Sequence, residues 1–369
     1  MLGLYIHIPF CISKCPYCDF YSLSGVSEDT MQRYADSVCR CMSGLASELD
    51  LNSRPADSIY FGGGTPSLMT AGLLEKILSS AEKCLRITSP QICLEINPAT
   101  ADPEYLSDCR SIGIDRISVG MQSADDMELK KLGRIHRFSD VKKTVSDARK
   151  AGFDDISLDL MLGTPGQNMP SLKKSVEACA ALGADHVSAY MLKIEPDTPF
   201  GRKPPGNIAG DDELSDMYLS VCEWLDTFGF RQYEISNWAK DGKRSRHNMK
   251  YWNCEEYLGI GPGAHSFING RRFYYGRDLD GFMSGAGVTD DGTGGGSDEY
   301  IMLRLRLNDG LLYDEYAERF GAFPDKKYIE RAGVLAGSGL AAVTGEGFYL
   351  TRQGMLVSNP AIGFILTGK

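Results

Sequence analysis

Three cysteines near the start of the chain have a spacing that suits metal chemistry. Cys11, Cys15 and Cys18 lie within eight residues, directly after a short apolar run. Iron–sulfur clusters take thiolate ligands, usually four for a [4Fe–4S] cluster, so a local set of three leaves one iron open to another ligand. Structural zinc normally takes four protein ligands at paired CxxC spacing, and no matching pair follows. The spacing favours a [4Fe–4S] cluster, with zinc or incidental thiols as the alternatives.

A glycine run and two carboxylates mark further candidate positions. Gly62–Gly64 precede Thr65, and glycines let the backbone approach a small polar ligand without a Cβ in the way. A tight turn is the alternative explanation. Glu95 and Asp159 lie in apolar runs, where a charge is costly unless it is paired. Each carboxylate could accept hydrogen bonds from a ribose diol or pair with a neighbouring arginine.

The segment HNMKYW (247–252) begins with one of only five histidines in the chain. Imidazole is a common axial ligand of heme iron, and aromatic walls suit a flat macrocycle. His247 is therefore a candidate heme ligand, and the alternative is a histidine whose hydrogen bonds are satisfied within an ordered loop. His265 is a weaker candidate for the same role and could be purely structural.

These residues need a scaffold, and the sequence predicts an α/β fold. Six apolar, β-rich runs lie at 3–8, 58–61, 92–96, 115–119, 155–161 and 186–191. Stretches of helical periodicity lie between them, at 70–86, 124–132, 138–152 and 171–183. Alternating strands and helices predict a parallel sheet with right-handed crossovers, arranged as an open, partial (βα)6 barrel. Functional residues of such sheets gather at the carboxyl ends of the strands.

Changes in composition divide the chain into four parts. The barrel takes residues 1–205, and an extension at 206–283 is predicted to hold a helix at 213–229 and a strand at 231–236. Residues 284–298 are rich in Gly, Ser and Asp, which predicts a flexible linker. Residues 299–369 form a small C-terminal α/β domain, with helices predicted near 299–306, 312–320 and 326–337.

Composition and charge exclude several classes of protein. With a formal charge of −10, the chain lacks the excess of Lys and Arg that non-specific nucleic-acid binding needs. We find no signal peptide and no apolar stretch long enough for a transmembrane helix. The eleven cysteines do not suggest a disulfide framework, because a chain of this length without a secretion signal is expected in the reducing cytosol. We therefore expect a cytoplasmic protein.

Ten ordered motifs carry a resemblance to a known family. They are YIHIPFC (5–11), CPYCDF (15–20), FGGGTPS (61–67), LEINP (94–98), RISVGMQS (116–123), LGRIH (132–136), DLMLGTPGQ (159–167), YEISNWA (233–239), HNMKYW (247–252) and GIGPGAHSF (259–267). The chain resembles the radical-SAM superfamily, in particular the oxygen-independent coproporphyrinogen III oxidase group and, within it, the HemW-type heme chaperones. The likeness covers roughly residues 3–310 and implies a radical-SAM partial barrel with a C-terminal α/β appendage.

The resemblance implies a role for each candidate residue. The iron left open by Cys11, Cys15 and Cys18 would chelate the amino and carboxylate groups of S-adenosylmethionine (SAM), and the reduced cluster would cleave its sulfonium bond to a 5′-deoxyadenosyl radical. A further set falls at positions that contact SAM in the family: Tyr5, Gly64, Thr65, Glu95, Gln122, Arg134 and Asp159. His247 falls in the motif that is tied to heme binding in the chaperones. Ser245 stands where we expect many relatives to have a cysteine, which puts a second thiolate ligand in doubt.

Two departures separate this chain from the oxidase. The oxidase has a further cysteine two residues after the third one, and at that position this chain has Phe20, which follows Asp19. The oxidase also has an N-terminal extension before its first strand. Both differences favour a chaperone that binds heme and passes it to apo-hemoproteins such as respiratory enzymes, with approach to the membrane during delivery. An oxygen-independent coproporphyrinogen III oxidase is the alternative, and a radical-SAM RNA-modifying enzyme is disfavoured by the charge.

The chaperone interpretation leaves several properties open. Whether SAM is cleaved productively, whether the protein is an enzyme at all, and whether heme is covalently attached are not decided by the residues. An electron donor such as a flavodoxin or a ferredoxin is implied by the cluster. A homodimer is a further option that the resemblance suggests.

Overall fold

The computed structural model describes residues 1–369, and its main feature is a sheet of twelve strands. Six strands that are consecutive in the chain are also consecutive in this sheet and parallel to one another. They are β1 (Leu2–Ile8), β2 (Pro55–Gly63), β3 (Arg86–Ile96), β4 (Arg116–Gln122), β5 (Asp155–Leu162) and β6 (His186–Met191). The predicted α/β fold with an open sheet of six βα units is confirmed.

Six helices connect or follow these strands on the outside of the sheet. They are α1 (Glu28–Glu48), α2 (Ala71–Cys84), α3 (Pro103–Ser111), α4 (Asp126–Lys131), α5 (Phe138–Lys150) and α6 (Met169–Ala181). Side-chain caps fix several starts: Ser27, Thr70 and Asp102 each accept a hydrogen bond from a backbone N–H in the first turn, which satisfies a donor that the helix cannot use itself. Helices α2, α4, α5 and α6 lie within two residues of the predicted bounds.

The sheet is extended on both sides by strands from the later part of the chain. Next to β6 lies an antiparallel hairpin of β7 (Arg231–Glu234) and β8 (Asn237–Ala239). Next to β1 lie β9 (Tyr257–Ile260), which is parallel to it, and then the antiparallel β10 (His265–Ile268) and β11 (Arg271–Tyr274). Four helices lie in this part of the chain. The first two, α7 (Pro199–Arg202) and α8 (Asp211–Thr227), precede β7, α9 (Arg246–Trp252) precedes β9, and α10 (Leu279–Met283) follows β11.

The stretch 284–298 differs from the flexible linker that its composition predicts. Thr289–Thr293 form β12, which pairs antiparallel with β11 and becomes the edge of the sheet. Arg271 on β11 donates to the Asp290 carboxylate at 2.7 Å, which adds a cross-strand ion pair to the backbone hydrogen bonds. Composition did not reveal this strand because an exposed edge strand buries no apolar side chain, so it lacks the hydrophobic alternation that marks other strands.

The C-terminal part has a hydrophobic core of its own. Its helices and strands are α11 (Ser297–Arg304), β13 (Leu311–Leu312), α12 (Tyr313–Phe320), α13 (Lys326–Gly337), β14 (Ala341–Val343), β15 (Gly347–Leu350), α14 (Arg352–Leu356) and α15 (Ser358–Thr367). Their 16-residue core is separate from the 59-residue core of the barrel. Cys254 and Phe267 of the extension belong to the smaller core, so the C-terminal part packs against the β10 side of the sheet. None of the helices is both long and apolar enough to span a bilayer.

Candidate functional site

A cavity of about 580 Å³ lies inside the barrel and opens at the carboxyl ends of the strands. Its wall is contributed by the cysteine segment, by the turn after β2 and by inward-facing residues of β3 to β6. Nine of the eleven site residues predicted from the sequence line it: Cys11, Cys15, Cys18, Gly64, Thr65, Glu95, Gln122, Arg134 and Asp159. The motifs are far apart in the chain, and the parallel sheet brings them together.

The cysteine segment forms one side of the cavity. Thr65 Oγ1 donates to Cys11 Sγ at 3.6 Å, and Arg134 Nη1 donates to Cys15 Sγ at 3.7 Å. All three thiols are half-buried, and burial raises the pKa of the Cys18 thiol. Structural zinc normally takes four protein ligands, and the segment supplies three thiols. A cluster binds each thiolate through a separate iron.

The glycine turn packs directly against the backbone that leads to Cys11. Gly64 N donates to Ile8 O at 2.8 Å, and Thr65 N donates to Phe10 O at 2.7 Å. A Cβ on Gly64 would lie 2.6 Å from Phe10 O and 2.9 Å from Ile8 O, distances at which the backbone would have to move. Glycine is required at this position because the turn after β2 and the backbone that leads to Cys11 are in direct contact. This contact joins the turn to the cysteine segment.

We therefore expect Gly64→Ala to disturb the cluster site. The added methyl group would push the turn away from Phe10, so cluster occupancy after anaerobic reconstitution should fall severalfold. Iron and sulfide analysis of the purified variant measures this. Gly72→Ala is the matched control, because nothing lies within 4 Å of a Cβ at Gly72 on α2, and it should retain full iron content. Equal iron in both variants would show that the close approach at Gly64 is not needed.

Glu95 and Asp159 face the cavity without an ion-pair partner. Glu95 accepts a hydrogen bond from Tyr60 Oη at 2.9 Å and another from Gly63 N at 3.0 Å. Burial, with a further contribution from the negative charge of Asp159, raises the pKa of Glu95 to about 7. Asp159 accepts from Ser118 Oγ at 3.0 Å, and burial raises its pKa as well. The buried arginine Arg116 pairs with Asp155 instead, so both cavity carboxylates remain available to a ligand.

Gln122 and Arg134 show signs of a site built for a ligand. Gln122 ends β4 with a φ of 65°, a left-handed conformation that is costly for a residue other than glycine and that clusters at functional sites. Arg134 Nη2 donates to Gly120 O at 3.0 Å, while its buried Nε has no partner. An unsatisfied buried N–H costs free energy, and a carboxylate in the cavity would satisfy it.

Tyr5 and His247 lie outside the cavity wall, in the aromatic packing below it. Tyr5 Oη lies 3.0 Å from His7 Nδ1, and its ring stacks on that of His247. His247 is buried, with Nδ1 3.1 Å from Ser58 Oγ and Nε2 2.9 Å from Tyr251 Oη. Burial, together with the positive charge of nearby Lys250, lowers its pKa to about 3. In this conformation His247 can bind iron only after one of its two hydrogen bonds breaks.

The HNMKYW segment forms most of helix α9, which covers the amino end of the barrel. Lys250 pairs with Asp57 at 2.7 Å and donates to Met1 O at 3.0 Å, and both partners lie at the starts of strands. Ser245 caps this helix by accepting from Asn248 N at 3.3 Å. The motif is therefore at the opposite end of the barrel from the cysteines, although Ser245 and Asn248 reach the cavity.

Sequence reasoning missed several residues of the cavity wall. They include Tyr17, Asn97, Ser118, Ser157, His186, Ser188, Tyr190 and Asn248. The register shows why the serines belong there: Ser118 pairs with Glu95 on one side and with Ser157 on the other, and Ser188 pairs with Asp159. The period-two alternation of polar and apolar residues in β4 to β6 was a signal for these positions.

Comparisons with known proteins agree with this architecture. The model of the radical SAM superfamily matches residues 5–179, and the model of the HemN C-terminal domain matches residues 298–357. The heme chaperone HemW of Bacillus subtilis is 32% identical over 379 residues, covering 99% of both chains. That of Escherichia coli K12 is 36% identical over 316 residues, covering 83% of this chain and 82% of its own. Among solved structures, the E. coli coproporphyrinogen III oxidase HemN, described as a radical SAM enzyme, has a TM-score of 0.86 over 100% of this chain and 90% of its own, at 19% identity. At that identity the likeness to HemN shows a shared fold.

Proposed function

We infer the function of this chain from its family, because it belongs to the HemW heme chaperones of the radical SAM superfamily. We propose that it binds a [4Fe–4S] cluster, SAM and heme, and that it delivers heme to apo-hemoproteins such as respiratory enzymes. The observation that carries the proposal is the match to HemW chaperones along 99% of this chain, from the cysteine segment through the C-terminal part.

The residues of the cavity fit a cluster with SAM beside it. The three thiols would supply three iron ligands, and the unpartnered Arg134 Nε would donate to the carboxylate of SAM. When bound, the cluster and SAM would together supply one-electron reduction of a sulfonium bond. The protein itself would bind and orient SAM. Gly64 and Thr65 would line its methionine portion, and the Glu95 carboxylate would accept hydrogen bonds from its ribose hydroxyls.

The remaining residues of the predicted set would support this arrangement. Asp159 and Gln122 add hydrogen-bonding groups to the wall, while Tyr5 would act from behind it by packing against Tyr60, whose hydroxyl holds Glu95. The carboxylates, the guanidinium and the hydroxyl groups on the cavity wall suit the polar groups of a nucleoside and an amino acid.

The coproporphyrinogen III oxidase alternative is less well supported. The full-length relatives are named as heme chaperones, whereas HemN shares the fold at low identity. At the position where the oxidase group has a further cysteine, Phe20 is 64% exposed. The neighbouring Asp19 accepts a hydrogen bond from Arg277 at 3.1 Å, so this part of the cysteine segment is held by an ion pair.

We further propose the surroundings in which the protein acts. An electron donor of the flavodoxin or ferredoxin type would reduce the cluster, and the chain would act in the cytoplasm, with approach to the membrane where it meets membrane-bound recipients. The acidic overall charge does not suit nucleic acid as a partner. Formation of a homodimer is part of the proposal and is tested by measuring the mass of the cluster-loaded protein in solution.

One anaerobic experiment separates the chaperone from the oxidase. The cluster-reconstituted protein is titrated with heme and, in parallel, incubated with SAM, a reductant and coproporphyrinogen III, with an authentic oxygen-independent oxidase as the positive control. We expect saturable heme binding near one heme per chain and no protoporphyrinogen. Formation of protoporphyrinogen at a rate comparable to that of the control would establish the oxidase. Absence of saturable heme binding would refute the chaperone proposal.

A further inference from the structure

Glu128 on α4 is a buried carboxylate that lies outside the wall of the cavity. It is 3% exposed, and its hydrogen-bond partners are three neutral donors. They are Ser123 Oγ at 2.6 Å, Gln167 Nε2 at 3.2 Å and Ser171 Oγ at 2.6 Å. Burying a carboxylate is costly unless its oxygens are hydrogen-bonded, so these three donors keep Glu128 in place. They come from separate segments of the chain, which Glu128 therefore joins.

The first donor follows an irregularity at the end of β4. Strands β4 and β5 pair regularly as far as Val119 and Leu158, and the next pair is Gln122 with Leu160. Over this interval β4 has one residue more than β5, which is a β-bulge, and bulges redirect side chains next to functional sites. The bulge ends at Gln122, which has the left-handed backbone described above and lines the cavity.

Ser123 holds the backbone immediately after Gln122. Its Oγ donates to Glu128 Oε2 at 2.6 Å and accepts from Asp125 N at 2.9 Å. Its backbone N–H donates to Met121 O at 2.9 Å. A left-handed residue other than glycine persists only where the surrounding structure fixes it. The hydrogen bond to Glu128 is one of the contacts that fix Gln122 in this conformation.

Gln167 holds the end of β5 to the same carboxylate. Its Nε2 donates to Glu128 Oε2 at 3.2 Å and to Met161 O at 3.1 Å, while its Oε1 accepts from Gly163 N at 2.7 Å. Met161 lines the cavity, as does Asp159 two residues earlier on β5. Alternate residues of a strand face the same side of the sheet, so a displacement at Met161 would also move Asp159.

From these contacts we propose that Glu128 is a positioning residue for the SAM site, because its Oε2 accepts from Ser123 and Gln167 at once. One oxygen atom thereby joins the end of β4 to the end of β5. This joint keeps Gln122 and Asp159 turned toward the cavity. The inference rests on the proposed binding of SAM in that cavity, and it concerns a residue that does not touch the ligand.

Two substitutions of Glu128 separate its hydrogen bonds from its volume. Leucine has a similar length but accepts no hydrogen bond, so Glu128→Leu would leave Ser123 Oγ and Gln167 Nε2 without their shared acceptor. Glutamine keeps one oxygen for both of these donors, and its NH2 group can donate to Ser171 Oγ, since a hydroxyl group both donates and accepts. Glu128→Gln should therefore preserve the joint that Glu128→Leu breaks.

Two serines provide a matched pair of further variants. Ser123 and Ser171 each donate to Glu128 at 2.6 Å, but Ser171 lies in the first turn of α6 and binds the other oxygen, Oε1. Ser123→Ala removes the hydrogen bond that holds the bulge. Ser171→Ala removes one of the same length and leaves both strand ends attached to Oε2. This pair also tests the inference if Glu128→Leu does not fold.

The test is a calorimetric titration of the cluster-loaded, full-length protein and its variants with SAM. Iron analysis shows that the variants carry equal amounts of cluster, and the melting temperature shows that they are folded. We expect Glu128→Leu to weaken SAM binding by about tenfold, because donors left without an acceptor would shift the strand ends. Ser123→Ala should weaken it severalfold. Glu128→Gln and Ser171→Ala should bind SAM as the unmodified protein does.

Each outcome decides the inference. Unchanged affinity in Glu128→Leu would refute it, and if that variant does not fold, unchanged affinity in Ser123→Ala would do so. An equal loss in Glu128→Gln would also refute it, because the accepted hydrogen bonds would then not be the cause. The same holds for an equal loss in Ser171→Ala, since any weakening of this region would then have the same effect. If the unmodified protein binds no SAM, the proposed function itself fails and this inference fails with it.

Discussion

Replacing Cys11, Cys15 and Cys18 together with alanine should leave the anaerobically reconstituted protein without bound iron or sulfide. The three thiols are the only cysteine side chains on the cavity wall, and the groups that donate to them are a hydroxyl (Thr65, to Cys11) and a guanidinium (Arg134, to Cys15). Neither of these can replace a thiolate. Iron and sulfide analysis should fall from about four of each per chain to background, and the brown absorbance of the cluster should disappear.

A surface thiol elsewhere in the chain provides the matched control. Cys39 on α1 is half-buried and donates to Lys76 O at 3.7 Å, remote from the barrel cavity. Cys39→Ala should retain the full iron content, which excludes a general effect of removing cysteines. A cluster that persists in the triple variant would refute the ligand assignment and would direct attention to the eight other cysteines of the chain.

The location of the site could be predicted because it depends on the order of strands alone. Residues that follow consecutive parallel strands must meet at one edge of the sheet, so the strand pattern placed Cys11, Gly64 and Glu95 together without any knowledge of side-chain contacts. The strand order does not show which hydrogen-bond or ion-pair partners Glu95 and Asp159 have. Whether Glu95 meets an arginine or a tyrosine depends on the register between strands, which a single sequence does not specify.

His247 illustrates the limit of composition as a guide. Aromatic and polar residues around a histidine are equally compatible with an exposed ligand and with a buried, satisfied imidazole, because both need hydrogen-bonding and stacking partners. The fold distinguishes them: α9 lies against the starts of β1 and β2, where Lys250 reaches Asp57, and this turns His247 inward. The heme ligand assignment for His247 stays a prediction, in competition with His265.

The affinity for SAM should rise about tenfold between pH 6 and pH 8 through the ionisation of Glu95. Its pKa of about 7 means that the carboxyl group is mostly neutral at pH 6 and mostly ionised at pH 8. A protonated carboxyl group is a poorer acceptor for ribose hydroxyls and lacks the charge that attracts a cationic ligand. If only the ionised form binds well, the apparent affinity scales with the ionised fraction, which changes about tenfold over this range.

Calorimetric titration of the cluster-loaded protein at several pH values measures this dependence. Glu95→Gln keeps an acceptor but cannot ionise, so the ratio of wild-type to variant affinity is the readout and cancels the titration of groups on the ligand. Asp159→Asn should move the midpoint to lower pH, because the charge of Asp159 is one cause of the raised pKa of Glu95. A ratio that does not change with pH would show that Glu95 does not contact the ligand in its ionised form. An unshifted midpoint in Asp159→Asn would show that burial alone raises the pKa, and the two carboxylates would then act independently on the ligand.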